Sequence, residues 1–237
     1  METLHMGKHG EPAQRDEQSG FAGCESKRAL SNRIFLAHKS LLSYSINMKT
    51  ALYVGRFQPF HNGHLHVIKN VILKENDRVI IVIGSAEKNF IDKNPMTAGE
   101  RFTLIDDALR AAKVSPSKYC IIPVRNVNNY ALWVNHVNCY VPSYEKLYTG
   151  SQIVKACYDY KYSHLHRKNK LGPEIVKLDR NHVPISASEI REAILRKEKW
   201  EQLVPKTVAS TMKKWKIPER IENIKDTMDL SKYNNSY

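Results

Sequence analysis

Two histidines, His61 and His64, flank Gly63, and an arginine, Arg56, precedes them in the same short stretch. Imidazole and guanidinium groups are suited to donating hydrogen bonds to anionic phosphate oxygens. Three residues apart at a helix start, both rings can face one ligand, and a bound polyphosphate would raise their pKa. Gly63 has no Cβ, so the backbone there can approach a ligand closely. A second set lies far along the chain, where Ser186, Ser188 and Arg191 place two hydroxyls and a guanidinium around another helix start. Free N–H groups at such a start form an anion cradle. Each residue also has a plainer reading. A single histidine near a helix start is often a cap, and a single arginine after a strand is usually solvated. Their grouping within one strand, turn and helix points instead to phosphate handling.

The elements that must carry these groups follow from the pattern of apolar residues. Ala51 to Val54 is a short apolar run of the kind that forms a buried parallel strand, and Leu65, Ile68, Ile72 and Leu73 recur at helical spacing. A strand, a polar turn and a helix bind phosphate at the carboxyl end of the strand in open α/β sheets. The rhythm continues. Further strands are expected at Arg78 to Ile83, Tyr119 to Val124, Lys146 to Thr149 and Ile175 to Leu178. Thr97 followed by Glu100, and Ser186 followed by Glu189, read as capping boxes opening helices. A helix is expected to follow the polar loop Arg125 to Asn129 and to reach about Tyr140. The last helix is expected from Lys199 to about Trp215. Gly84, Ser85 and Ala86 close the second strand with small residues, which leaves room for a flat ligand such as a nucleobase. The fold class is therefore α/β: a Rossmann-like open parallel sheet of about five strands flanked by helices, with a C-terminal helical segment.

With 237 residues the expectation is one domain with an appendage. Residues 1–47, polar and aperiodic from Met1 to Arg33, are expected to be a disordered or over-called N-terminal extension, with Met48 a plausible true start. Residues 48–224 form the domain, and 225–237 a frayed polar tail. Tyr158 to Leu171 is basic and reads as an exposed insertion, whose His164 and His166 lack partners for a metal site. The cysteines Cys24, Cys120, Cys139 and Cys157 fall in no metal or disulfide spacing. They read as reduced thiols, in keeping with a cytoplasmic protein. No apolar run is long enough to span a bilayer. The formal net charge of +13 suits anionic ligands, either nucleotide substrates or RNA. It has no interleaved aromatic pattern to favour RNA.

The string Gly55-Arg56-Phe57-Gln58-Pro59-Phe60-His61-Asn62-Gly63-His64 carries the HxGH signature of the nucleotidylyltransferase superfamily. It resembles the archaeal type of nicotinamide mononucleotide (NMN) adenylyltransferase in particular. HxGH alone also has close relatives in pantothenate synthetases and class I aminoacyl-tRNA synthetases. Ile185 to Arg191 is similar to the second signature, ISGTxIR, with Ala187 for Gly and Ser188 for Thr. Asn94 to Arg101 resembles the family's NPFTxxER run, and Lys199 to Lys206 its KWxxLVPK run.

The resemblance implies transfer of AMP from ATP to NMN, giving NAD and pyrophosphate, with Mg²⁺ accompanying ATP. It implies catalytic roles for His61, His64, Arg56 and Arg191. ATP would be held by Gly55, Phe57, Gly63, Gly84, Ser85, Ala86, Ser186 and Ser188, and NMN by Val127, Asn128, Tyr130 and Trp133. No resident protein-held metal, no membrane and no specific nucleic acid are expected. A homo-oligomer, such as a hexamer, is. Tyr130 stands where relatives carry Asn, which leaves open an adenylyltransferase with another acceptor. Glu87 stands where they often carry Gln. Arg101 is either structural or an inter-subunit or substrate contact.

Overall fold

The computed structural model describes residues 48–163, 172–178 and 184–234. The chain divides into two units at Asn47 and Met48, and the first unit lies outside the described residues. Five parallel strands form one sheet: β1 (Thr50–Gly55), β2 (Arg78–Ile83), β3 (Tyr119–Pro123), β4 (Lys146–Thr149) and β5 (Glu174–Lys177). Their order is β3-β2-β1-β4-β5. The register pairs Leu52 with Ile80 on one side and with Leu147 on the other. The winding reverses between β1 and β4, and this switch point is where an open α/β sheet leaves a crevice at its carboxyl edge.

Successive side chains of a strand point to opposite faces, and both faces here are covered. Ala51, Tyr53, Val79, Ile81 and Ile83 pack in the larger core. Leu52, Ile80, Val82 and Leu147 pack in a second core on the other face. Burial on both faces is why β1 and β2 read as continuous apolar runs rather than alternating ones. The larger core takes α1, an unbroken helical run made of Asn62–His66, a π-helical stretch Val67–Ile72 and a last turn Leu73–Glu75. It also takes α2 (Ala98–Ala111), α5 (Ala187–Leu195), α6 (Lys206–Lys214) and the start of α7 (Ile217–Asn234). The opposite face takes α3 (Tyr130–Asn138) and α4 (Gln152–Ser163). No helix among the described residues is long and apolar enough to cross a membrane.

Thr97 and Ser186 both form the expected capping boxes, each hydroxyl accepting from the N–H of the glutamate three residues on. Three expectations need correction. Tyr158 to Ser163 is not an exposed insertion: it is the end of α4, with Tyr158 fully buried and its hydroxyl 2.6 Å from that of Tyr144. The basic residues around it disguised an i, i+4 tyrosine pair, Tyr158 and Tyr162, whose rings lie 6.1 Å apart. His164, His166 and the rest of that insertion, to Leu171, lie outside the described residues. The final helix does not run from Lys199 to Trp215. A single 3-10 turn, Glu201–Leu203, is followed by extended Val204 and Pro205, and α6 begins only at Lys206. Proline pushes the residue before it out of helical geometry, which sets this break. Finally, α7 continues to Asn234, into the segment 225–237 expected as a frayed tail.

Candidate active site

The reversal between β1 and β4 opens a cavity of about 370 Å³ at the carboxyl ends of both strands. Tyr53 and Val54 reach it from β1, Thr149 and Gly150 from the end of β4, and His61 and His64 from the start of α1. Ser186, Ala187, Ser188 and Arg191 reach it from the start of α5. Two helix N-termini therefore meet at one space, and their unpaired N–H groups and dipoles favour an anion there. Among the described residues no carboxylate lines it, while Arg56 and Arg191 do.

His61 and His64 are both caps and wall. The His61 N–H donates to His64 Nδ1 at 3.3 Å, and the His64 N–H donates to His61 Nδ1 at 3.4 Å. This is a capping box built from two imidazoles, with the rings stacked 3.5 Å apart at centroid. Because each Nδ1 accepts, the proton of each neutral ring sits on Nε2. Each ring thus keeps one N–H donor for a ligand in the cavity. Burial pushes the His61 pKa down to about 4 against the pull of Glu189. It lowers that of His64 as well, helped by the charge on His61. Both rings are neutral donors at pH 7.

Arg191 is held in place before any ligand binds. Its Nη1 donates to the Gln58 carbonyl at 2.8 Å and to Ala187 O at 3.1 Å, and Nη2 donates to Ser188 Oγ at 3.3 Å. Gln58 is itself buried, exchanging two hydrogen bonds with the Met96 backbone. The first and second signature segments are thereby joined directly, although 133 residues separate Gln58 from Arg191. Burial and the neighbouring Arg56 charge lower the Arg191 pKa. Arg56 is exposed and lines a second, larger cavity of about 920 Å³ as well, together with Ser85, Lys88, Lys93 and Trp215.

Other sequence candidates fall differently. Gly55 faces a protein side chain: a Cβ there would meet the Phe57 ring at 2.7 Å. Phe57 adopts φ 53° and is buried, its ring edge-on to His64 at 4.8 Å and also lining the smaller cavity. Gly63 is buried inside α1. Ser85, at φ 50°, lines the larger cavity, while Gly84 and Ala86 line neither. Val127, Asn128, Tyr130 and Trp133 line neither cavity. They sit on the loop after β3 and the first turn of α3, with Tyr130 exposed and Trp133 edge-on to Tyr158 at 6.4 Å. The Asn126 N–H donates to Glu87 Oε2 at 2.8 Å, tying that loop to the turn after β2. Sequence reasoning missed Gln58 as the link between segments. A buried amide that bonds only backbone leaves no signal in residue type.

The sequence profile of the cytidylyltransferase-like family matches residues 52–193. Among similar proteins are two named nicotinamide-nucleotide adenylyltransferase. That of Pyrobaculum aerophilum is 40% identical over 172 residues, covering 70% of this chain and 88% of its own. That of Picrophilus torridus is 38% identical over 182 residues, covering 76% and 96%. Among solved structures, a bifunctional NMN adenylyltransferase/ADP ribose pyrophosphatase from Francisella tularensis superposes with a TM-score of 0.62 at 20% identity. That match covers 79% of this chain and 56% of the bifunctional one, and it shows the shared fold. A second structure of that protein is described as complexed with AMP and a manganese ion.

Proposed function

The chain belongs to the cytidylyltransferase-like family, among its nicotinamide-nucleotide adenylyltransferases, and we propose how its cavity carries out the transfer. The enzyme joins NMN to ATP, giving NAD and pyrophosphate. An oxygen of the NMN 5′-phosphate attacks the α-phosphorus of ATP in line, and the bond from that phosphorus to the β-phosphate oxygen breaks. The nucleophile is already an anion, so no side-chain base and no covalent enzyme intermediate are needed. The protein contributes positioning and charge stabilisation.

His61 and His64 donate through Nε2–H to the triphosphate, with Arg56 and Arg191 neutralising charge as pyrophosphate departs. The N-termini of α1 and α5, with Gly63, Ser186 and Ser188, add main-chain and hydroxyl donors. Gly84, Ser85 and Ala86 are assigned to the adenine end of ATP. Gly55 and Phe57 serve by shaping the wall behind His64. Val127, Asn128, Tyr130 and Trp133 are assigned to NMN, whose flat ring Trp133 is suited to stack. A single observation supports this reading most strongly: His61, His64, Arg56 and Arg191, from two segments far apart in the chain, line one cavity with no carboxylate among its described residues.

That donor set does not suit a metal held by protein alone, since hard cations take oxygen ligands. Mg²⁺ is therefore assigned to the substrate, arriving as its complex with ATP. Catalysis is assigned to the unit that begins at Met48, and the described cysteines are unpaired, in keeping with the cytoplasm. Exposed apolar side chains at Phe102, Leu132 and Ile153 support a homo-oligomer, hexameric by resemblance, and sedimentation would measure its size.

Incubation with ATP, Mg²⁺ and each of NMN, the deamidated mononucleotide and pantoate, with products identified by mass, tests the assignment. NAD and pyrophosphate are expected with NMN. Pyrophosphate release with another acceptor only would overturn it.

A further inference from the structure

Arg101 lies one residue past the capping-box glutamate in the first turn of α2 and is fully buried. It lines neither cavity. Its four donated hydrogen bonds go to main-chain carbonyls rather than to a carboxylate. Nε donates to Thr97 O at 3.1 Å, Nη1 to Arg56 O at 3.0 Å and Gly84 O at 2.9 Å, and Nη2 to Ser85 O at 3.1 Å. Burying a guanidinium is unfavourable unless its donors are satisfied, and here backbone oxygens from three separate segments satisfy them.

Two of those segments are the turns that leave β1 and β2 at the crevice. Each contains a non-glycine residue in left-handed geometry, Phe57 at φ 53° and Ser85 at φ 50°. Such conformations persist only when the surroundings enforce them. Between them they carry Arg56, which lines both cavities, and Ser85, which lines the larger. One planar fork therefore fixes the backbone under both. A lysine at this place would keep the charge and lose the fork that reaches several carbonyls at once.

We propose that Arg101 is a positioning residue for adenylyl transfer, holding the main chain at Arg56 where it meets the nucleotide phosphates and at Gly84 and Ser85 where it meets the adenine end of ATP. This rests on the adenylyltransferase reading above. A purely structural arginine would affect only how much protein folds. A positioning one sets the turnover of each folded molecule.

The test uses the full chain as wild type, Arg101→Lys and Arg101→Ala, with NAD formation normalised to folded protein. In both variants kcat is expected to fall roughly 10²-fold, as for a displacement of about 1 Å at a reacting centre, with KM for ATP and NMN changing less than about threefold. Added guanidinium is expected to restore kcat at least about tenfold in Arg101→Ala, and not in wild type, by refilling the fork's place. Wild-type kcat per folded molecule in both variants overturns the proposal.

Should neither variant fold, the wild-type protein labelled with 15N-arginine decides. The Arg101 Nε–H resonance is expected to resist solvent exchange and to shift on addition of a non-hydrolysable ATP analogue. A resonance indifferent to nucleotide overturns the proposal. Failure of the underlying functional reading is separately visible, as a wild type that makes no NAD.

Discussion

Lowering the pH should unfold this protein earlier than its carboxylates alone would dictate, because of the imidazole pair. The His61 pKa falls from 6.5 unfolded to about 4 folded, chiefly through burial. The unfolded chain then binds a proton that the folded chain refuses, so stability falls as pH drops from 6.5 toward 4. Above pH 6.5 the contribution is fully present. At about 1.4 kcal/mol for each pH step between those two values, His61 alone accounts for about 3 kcal/mol lost across that window. His64 is depressed in the same direction and adds to the loss. The depressed carboxyls of Glu100 and Asp106 also withdraw stability on acidification, but only as they protonate below their ordinary values of 4.5 and 3.8. The interval from pH 7 to 5 therefore isolates the histidines. Urea unfolding followed by tryptophan fluorescence, in wild type and His61→Asn, measures the effect. Asparagine is itself a good helix cap, so the variant should keep α1 while losing about 1–2 kcal/mol of the pH dependence in that interval. Equal slopes in wild type and variant would refute the reasoning. ATP should oppose the trend, since bound phosphates favour the protonated rings.

Three further outcomes are expected. His61→Ala and Arg191→Ala should each lower kcat by roughly 10²-fold or more, as for lost charge-stabilising donors; steady-state NAD formation measures this. Gly55→Ala should destabilise by about 1–3 kcal/mol, read by thermal unfolding, because the added methyl meets the Phe57 ring at 2.7 Å and that ring is boxed in by Tyr53, Phe60 and His64. Arg220 makes a two-pronged ion pair with Glu100 at 2.8 Å in each arm, joining α7 to the start of α2. A double-mutant cycle with Glu100→Ala and Arg220→Ala should return a coupling of about 1 kcal/mol.

Much of this was readable from residue pattern. Every strand falls within a residue or two of its apolar run, most plainly β1 and β2, because a parallel strand buried on both faces leaves little else to read. The Thr97 and Ser186 caps were visible because capping boxes are local chemistry. The histidine pair was half readable. Its nearness to a helix start was plain, but the reciprocal bonding of His61 and His64, which fixes both tautomers, needs the fold. The π-helical stretch Val67–Ile72 left no trace, since Leu65, Ile68 and Ile72 satisfy ordinary helical spacing equally well. The separation of α6 from α7 turns on Lys216 at φ 53°, a conformation with no glycine to announce it. Arg101 reads from sequence only as either a structural residue or an inter-subunit or substrate contact. Only the tertiary fold brings the carbonyls of two distant turns around it.

The most direct measurement follows the nitrogens themselves, by titrating ATP into protein carrying 15N-labelled histidine and arginine. The Nε2 resonances of His61 and His64 and the Nε resonance of Arg191 should move together along one binding curve, while each Nδ1 keeps its acceptor character. Histidine resonances that shift without Arg191, or along a different curve, would contradict a single triphosphate held between the two segments.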